Sequence, residues 1–295
     1  KEAGLFTPTG SLANQLAIRM LVKPGEEILC ETSAHIARAE LGAAAVFSGI
    51  TTRTWPSQNG RLVAEDAMAI AHPNAGPYLV STTAIAVENT HNFGGGTVQS
   101  IEEIKKLSAA ANAMGITLHL DGARIWNAHV ATGVSLDEYG KYFDTISVCL
   151  SKGLGAPIGS LMISGKERIA TARIWRKRYG AGMRQVGIVA AAGHFALDHN
   201  INRLAQDHAR AQKLAQALAA INSTLIDPKK VATNIVGLNL ETTGITAVDL
   251  SERCKNSGLL ISALGKYYAR LVTHLDFDDN QCDEAIAILQ SAFMA

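Results

Sequence analysis

Thr145-Ile146-Ser147-Val148-Cys149-Leu150 runs directly into Ser151-Lys152-Gly153-Leu154-Gly155-Ala156-Pro157-Ile158-Gly159. The first six residues are mostly apolar and rich in β-branched types, the pattern of a buried strand, and the glycines and proline that follow end it. A lysine is thereby placed at the carboxyl end of a strand, in an irregular turn whose glycines let another molecule approach the backbone. Working outward, Ile116–Asp121 (ITLHLD) reads as a second strand with an aspartate at its end. Before it, Ser100–Met114 has a helical period, with Ser100 as cap, Glu102 and Glu103 in the first turn and Gly115 as stop. Ala84–Glu88, Thr51–Trp55 and Glu27–Glu31 are further short strands, and Val46–Ser48 also reads as extended. Ser11–Leu21, His35–Leu41 and Leu62–Ala71 read as helices; Ile158–Ser164 extends again, and Lys166–Arg178 is a basic helix. This alternation predicts an α/β fold, a mostly parallel sheet flanked by helices, with ligands at the carboxyl ends of the strands.

After about residue 200 the texture changes. Ile201–Ile221 is a long amphipathic helix, followed by Asn234–Leu240 (strand), Thr246–Ser257 (helix), Leu271–Leu275 (strand) and Cys282–Phe293 (helix). The expected division is a large domain over 1–200 and a smaller C-terminal α+β domain over 201–295. The chain of 295 residues is long enough for two such units. Hydrophobic residues make up 47% and charged residues 18%, which excludes a disordered chain. Lys and Arg exceed Asp and Glu by 27 to 26, so no global basic excess points to nucleic acid or an anionic membrane. No apolar run is long enough to span a bilayer. Cys30, Cys149, Cys254 and Cys282 lack metal-ligand spacing and read as reduced, mostly buried thiols of a cytoplasmic protein; no metal is expected.

Five features carry possible chemistry. A desolvated lysine favours the neutral amine, the form that makes a Schiff base, so Lys152 is a candidate nucleophile; an ordinary loop lysine is the alternative. Asp121, in His119-Leu120-Asp121-Gly122-Ala123-Arg124, is either a helix cap or the counter-ion of a protonated ring nitrogen. Gly10 and Ser11, after Pro8-Thr9, expose N–H groups at a helix start and suit a phosphate, or form a plain cap. His35 can stack flat on an aromatic cofactor or be structural. Arg270, in the small domain, can clamp a substrate carboxylate. The order of phosphate cradle, stacking His, strand-end Asp, strand-end Lys and later Arg resembles that of fold-type I PLP (pyridoxal 5'-phosphate) enzymes.

The match is closer than fold level. Phe6-Thr7-Pro8-Thr9-Gly10, Glu88-Asn89-Thr90-His91-Asn92, Asp121-Gly122-Ala123-Arg124-Ile125-Trp126-Asn127 and Leu150-Ser151-Lys152-Gly153-Leu154-Gly155 resemble low-specificity L-threonine aldolases, as do Gly182-Met183-Arg184-Gln185 and Arg270-Leu271-Val272-Thr273-His274. The resemblance covers the whole chain and is to a beta-eliminating-lyase-like, fold-type I PLP-dependent transferase-like group. It implies cleavage of L-threonine, L-allo-threonine and related β-hydroxy-α-amino acids to glycine and an aldehyde. It also implies roles: Lys152 carrying PLP, Asp121 on the pyridine nitrogen, His35 on the ring face, Gly10 and Ser11 on the phosphate. Arg124 would lie near the cofactor and the substrate carboxylate, and Arg270 would clamp that carboxylate. Lys177 and Arg184 would reach a site across a subunit interface of a homotetramer, a dimer of dimers. Two departures stand out. The family's N-terminal segment is absent, so an incomplete chain is expected. Tyr78 also stands where many relatives carry a histidine, which leaves His35, Tyr78 and a water near the phosphate as candidates for the base. Rival readings are another PLP reaction (β-elimination or racemisation) and an inactive PLP-binding subunit. A dinucleotide enzyme lacks support, because no GxGxxG follows a first strand.

Overall fold

The structure is a computed structural model and describes residues 1–294. The chain opens with β1 (Ala3–Thr7), α1 (Gly10–Arg19), β2 (Glu27–Glu31), α2 (His35–Arg38), α3 (Ala43–Ser48) and β3 (Thr51–Trp55). Next come α4 (Ala64–Ala69), β4 (Thr82–Glu88), α5 (Ile101–Ala113), β5 (Thr117–Gly122), α6 (Ile125–Thr132) and α7 (Leu136–Lys141). Then follow β6 (Thr145–Cys149), β7 (Ser160–Ser164), α8 (Lys166–Arg178), α9 (Gly187–His199) and α10 (Leu204–Ile221). The chain ends with β8 (Ile235–Asn239), α11 (Ala247–Asn256), β9 (Ser262–Ala263), β10 (Tyr268–Val272) and α12 (Asp279–Met294).

Seven strands form one sheet in the order β1-β7-β6-β5-β4-β2-β3. β2 to β6 run parallel, while β7 is antiparallel to both β6 and β1. After β3 the chain crosses back over β2 to β4 and continues the other way, so the order reverses between β2 and β4. Ligand crevices form outside such a reversal, at the carboxyl ends of the strands. The register sets Glu88 beside Asp121, and Asp121 beside Ser147, along that edge.

Both faces of the sheet are covered, and strand alternation sorts its residues between them. Leu118 and Leu120 of β5 join Leu29, Ile85 and Val87 in a core with Ile104 and Leu107 of α5. The alternate residues His119 and Asp121 meet Asn14 of α1 on the other face, where Ile28, Cys30, Ala84 and Ala86 pack against Ile18. A buried polar row thus lies in an otherwise apolar layer, beneath one helix. A second sheet, β8-β10-β9, is antiparallel and has its own core, built from Leu214, Leu218, Val236, Leu238, Leu250 and Leu289.

The bounds expected for β2, β3 and α8 coincide with those observed. Val46–Ser48, expected to be extended, instead ends α3: this alanine-rich turn is bounded by Gly42 and Gly49, both with positive φ (75° and 65°). The strand expected from Leu271 starts earlier, at Tyr268, where it pairs with Asn239 of β8. β1, α7, α9 and β9 have no counterpart among the expected elements. α9 has no polar side chain before His194, so no alternation of polar and apolar faces marks its first two turns, and it buries only Gly193 and Ala196.

Candidate active site

The site grows from Asn14. Its Nδ2 donates to Asp121 Oδ2 and to Glu40 Oε1, each at 2.8 Å. Its Oδ1 accepts from the Ser147 hydroxyl and from His119 Nε2, the latter at 3.0 Å. Two donors and two acceptors are thereby used, which fixes the orientation of the amide. Burial pushes the His119 imidazole down to about 4, so it sits neutral, with its Nδ1 3.0 Å from the Thr145 hydroxyl. Asp121 Oδ1 accepts from Ala123 N at 3.2 Å. Each carboxylate oxygen of Asp121 thus has one donor and spare lone pairs.

His35 starts α2, just beyond β2. Its backbone N–H donates to Glu88 Oε2 at 2.7 Å, and its Nδ1 lies 3.0 Å from Glu40 Oε1. That hydrogen bond holds the His35 pKa above its ordinary value; burial opposes the effect, and the nearby Asp121 and Glu88 add to it. Glu40 also accepts from Gln15 Nε2 at 2.6 Å, and its side chain has no exposed surface. Glu88 Oε1 accepts from Asn92 N, and burial raises the Glu88 pKa. A ring nitrogen of His35 and carboxylate oxygens of Glu40 and Asp121 lie within 4.8 Å of one another. That spacing would suit a cation, but the oxygens of Glu40 and Asp121 are engaged by amide donors and His35.

Lys152 is half-buried in the turn after β6. Its Nζ is 3.4 Å from Cys149 Sγ, which also lies 3.3 Å from Ser160 Oγ. A Cβ on Gly10 would fall 2.9 Å from the same sulfur, so the start of α1, Lys152 and β7 meet around one buried thiol. The turn is pinned from three sides: Trp126 Nε1 donates to Cys149 O at 2.9 Å, Asn200 Nδ2 to Leu154 O at 2.7 Å, and Arg203 to Gly153 O at 3.3 Å. Gly159, at φ 121°, faces the Phe6 ring, which a Cβ would meet at 2.6 Å. Thr9 caps α1 by accepting from Leu12 N, and the first intrahelical bond runs from Ala13 N to Thr9 O. The amides of Gly10 and Ser11 precede that bond and remain available to an anion.

Arg124 and Arg270 converge from the two sheets on one amide oxygen. Asn92 Oδ1 accepts from Arg124 at 3.1 Å and from Arg270 at 2.7 Å. Burial lowers the pKa of both, and Arg270 lowers that of Arg124 further, as expected for two cations side by side. Arg270 Nε is buried with no partner among the described residues. Two crowded guanidiniums with a spare N–H can, on chemical grounds, receive a carboxylate.

Gly10, Ser11, His35, Asp121, Arg124, Lys152 and Arg270 therefore lie along one strand edge. Lys177 and Arg184 lie outside this cluster, exposed at the end of α8 and in the turn after it. Tyr78 is 93% exposed in the loop before β4, at the opposite end of the sheet, so it is not a base for its own chain's site. Sequence reasoning missed Asn14, Glu40, Cys149 and Ser160, and placed Asn92 only in a polar loop at this sheet edge, with no role assigned. Two of these had a local signal: Asn14 is one helical turn past Gly10, and Glu40 is a lone acid just beyond the helix that His35 opens.

Known proteins resemble this chain in sequence and in fold. Residues 1–241 match the family model described as Beta-eliminating lyase. A low specificity L-threonine aldolase of Escherichia coli K12 is 37% identical over 295 residues, covering 100% of this chain and 85% of the relative. A structure described as a putative L-allo-threonine aldolase from Listeria monocytogenes superposes with a TM-score of 0.80 at 20% identity, covering 99% of this chain and 82% of the other. A structure of SPT with PLP shares the fold at a TM-score of 0.71 and 17% identity, covering 98% of this chain and 72% of the other. The seven-stranded sheet, the residues gathered on its carboxyl edge and the match over the full chain lead to one assignment: the chain belongs to the beta-eliminating lyase family, among the low-specificity L-threonine aldolases.

Proposed function

We propose that this chain cleaves L-threonine, L-allo-threonine and related β-hydroxy-α-amino acids between Cα and Cβ, releasing glycine and an aldehyde, with PLP as cofactor. The observation that carries this reading is the convergence of an amine, a carboxylate, an imidazole and two guanidiniums on one strand edge, in a chain of this family.

The residues fit PLP. The free amides of Gly10 and Ser11 suit its phosphate, and the bare Gly10 leaves room for close approach. Asp121 has lone pairs left for a ring N–H, His35 offers a flat face, and Lys152 offers the amine that would hold the aldehyde as a Schiff base. When bound, PLP supplies an electron sink for the pair released as the Cα–Cβ bond breaks. The protein supplies the rest. Arg270 and Arg124 hold the substrate carboxylate and so set the direction of the Cα–Cβ bond. Asp121 holds a proton at the ring nitrogen.

The division near residue 200 belongs to this reading, supported by the separate core of residues 211–292. So does assembly into a homotetramer, with Lys177 and Arg184 serving a neighbouring copy. Its support is the open face of α9, where Ile188 is 82% and Phe195 60% exposed. The described residues hold no helix long and apolar enough to cross a membrane. A cytoplasmic setting is supported by four buried, unbridged cysteines.

Purified protein with added PLP is expected to convert L-threonine or L-allo-threonine to equal amounts of acetaldehyde and glycine. Pyruvate, a D-amino acid, or bound PLP without product would overturn the reading.

A further inference from the structure

Glu40 has no part in the family resemblance, yet it is the most fully engaged carboxylate of the site. One oxygen accepts from Asn14 Nδ2 and faces His35 Nδ1; the other accepts from Gln15 Nε2. With Asn14 Nδ2 already donating to Oε1, the His35 nitrogen nearest Glu40 is best satisfied as a donor. That tautomer leaves Nε2 with a lone pair, on a side chain that retains 28% exposure.

We propose that Glu40 is a positioning residue that fixes the Nδ1–H tautomer of His35, so that Nε2 serves as the base for the substrate's β-hydroxyl. The inference rests on the aldolase reading and specifies its base. Nε2 takes the hydroxyl proton, the O–H electron pair becomes the second bond of the aldehyde carbonyl, and the Cα–Cβ pair leaves toward the glycine fragment. The proton then returns to the α-carbon of glycine. Glu40 stabilises the imidazolium formed in between, as a carboxylate behind a catalytic imidazole does elsewhere. Asn14 joins this unit to Asp121 through one amide, so the carboxylate that would meet the cofactor's ring nitrogen and the carboxylate behind His35 are held by the same side chain.

The charged groups facing His35 are Glu40 beyond α2, Asp121 from β5 and Glu88 from β4, with His91 and Glu31 behind Glu88. Replacing Glu40 removes one charge and leaves the others.

Glu40→Gln is the informative change, because the site can absorb it. The new amide nitrogen would face the Gln15 donor, but Gln15 Oε1 is buried with no partner among the described residues. Turning the Gln15 amide over presents that oxygen to the new donor. The His35 hydrogen bond survives, now to a neutral oxygen.

The test is a nitrogen-15 histidine titration of the cofactor-free protein, with the His35 signal assigned by its loss in His35→Asn. In the unaltered protein, neutral His35 is expected to carry its proton on Nδ1. In Glu40→Gln its midpoint should fall, and the acid limb of kcat/KM for threonine should move down with it. The value of kcat should drop about tenfold with KM nearly unchanged, and Glu40→Asp should recover part of the loss. A proton on Nε2 in the unaltered protein would overturn the proposal, whether or not the variants fold. So would an unmoved midpoint and pH profile in folded Glu40→Gln. Failure of the aldolase reading would look different: no threonine cleavage by the unaltered protein, with the tautomer still as expected.

Discussion

Lys152→Ala is expected to keep its fold and to lose threonine cleavage by at least roughly a thousandfold. The loss follows from removing the amine that, among the described residues, stands at the site to hold the cofactor's aldehyde. The fold should survive because the turn does not depend on this side chain. Trp126, Asn200 and Arg203 pin its carbonyls, and the recorded contact of Nζ is the Cys149 sulfur at 3.4 Å. A half-buried side chain with one weak contact should cost no more than about 1 kcal/mol of stability when truncated. Thermal unfolding, visible absorption of the PLP-loaded protein and aldehyde release together check this. Full turnover in a folded variant would remove Lys152 from the chemistry.

Asp121→Asn should lower kcat by on the order of 10²–10³, the range for removing one preorganised electrostatic group. Its carboxylate can hold a proton on a ring nitrogen because both oxygens accept and neither needs to donate. An asparagine would offer one acceptor and one donor. Either Asn14 Nδ2 or Ala123 N would then face an amide hydrogen, or the ring nitrogen would lose its partner. The buried mismatch should cost about 1–3 kcal/mol of stability. A kinetic loss well beyond the loss of folded protein is the expected signature. A variant that is destabilised but fully active per folded molecule would make Asp121 a structural cap.

The parts of the site visible in the sequence are those that local rules place. Lys152 and Asp121 end apolar strands, Gly10 and Ser11 open a helix, and each of these is settled within a few residues. The partners that organise them come from far along the chain. Asn14 meets Asp121 across 107 residues, and Arg270 meets Asn92 across 178. No periodicity records such pairings, because they depend on how the sheet and α1 stack. The same limit explains α9: Gly187–Gly193 holds no polar residue and the polar ones, His194, Asp198 and His199, come only in its second half, so it lacks the one-sided stripe that marks a helix against its own core. The misread of Val46–Ser48 is of another kind, since the flanking Gly42 and Gly49 that close α3 were present to be read.

The most direct measurement is borohydride reduction of the PLP-loaded protein, followed by proteolysis and mapping of the pyridoxyl label. The expected result is a single labelled peptide, with the label on Lys152. A label on another lysine, or none, would contradict the central claim that this amine holds the cofactor.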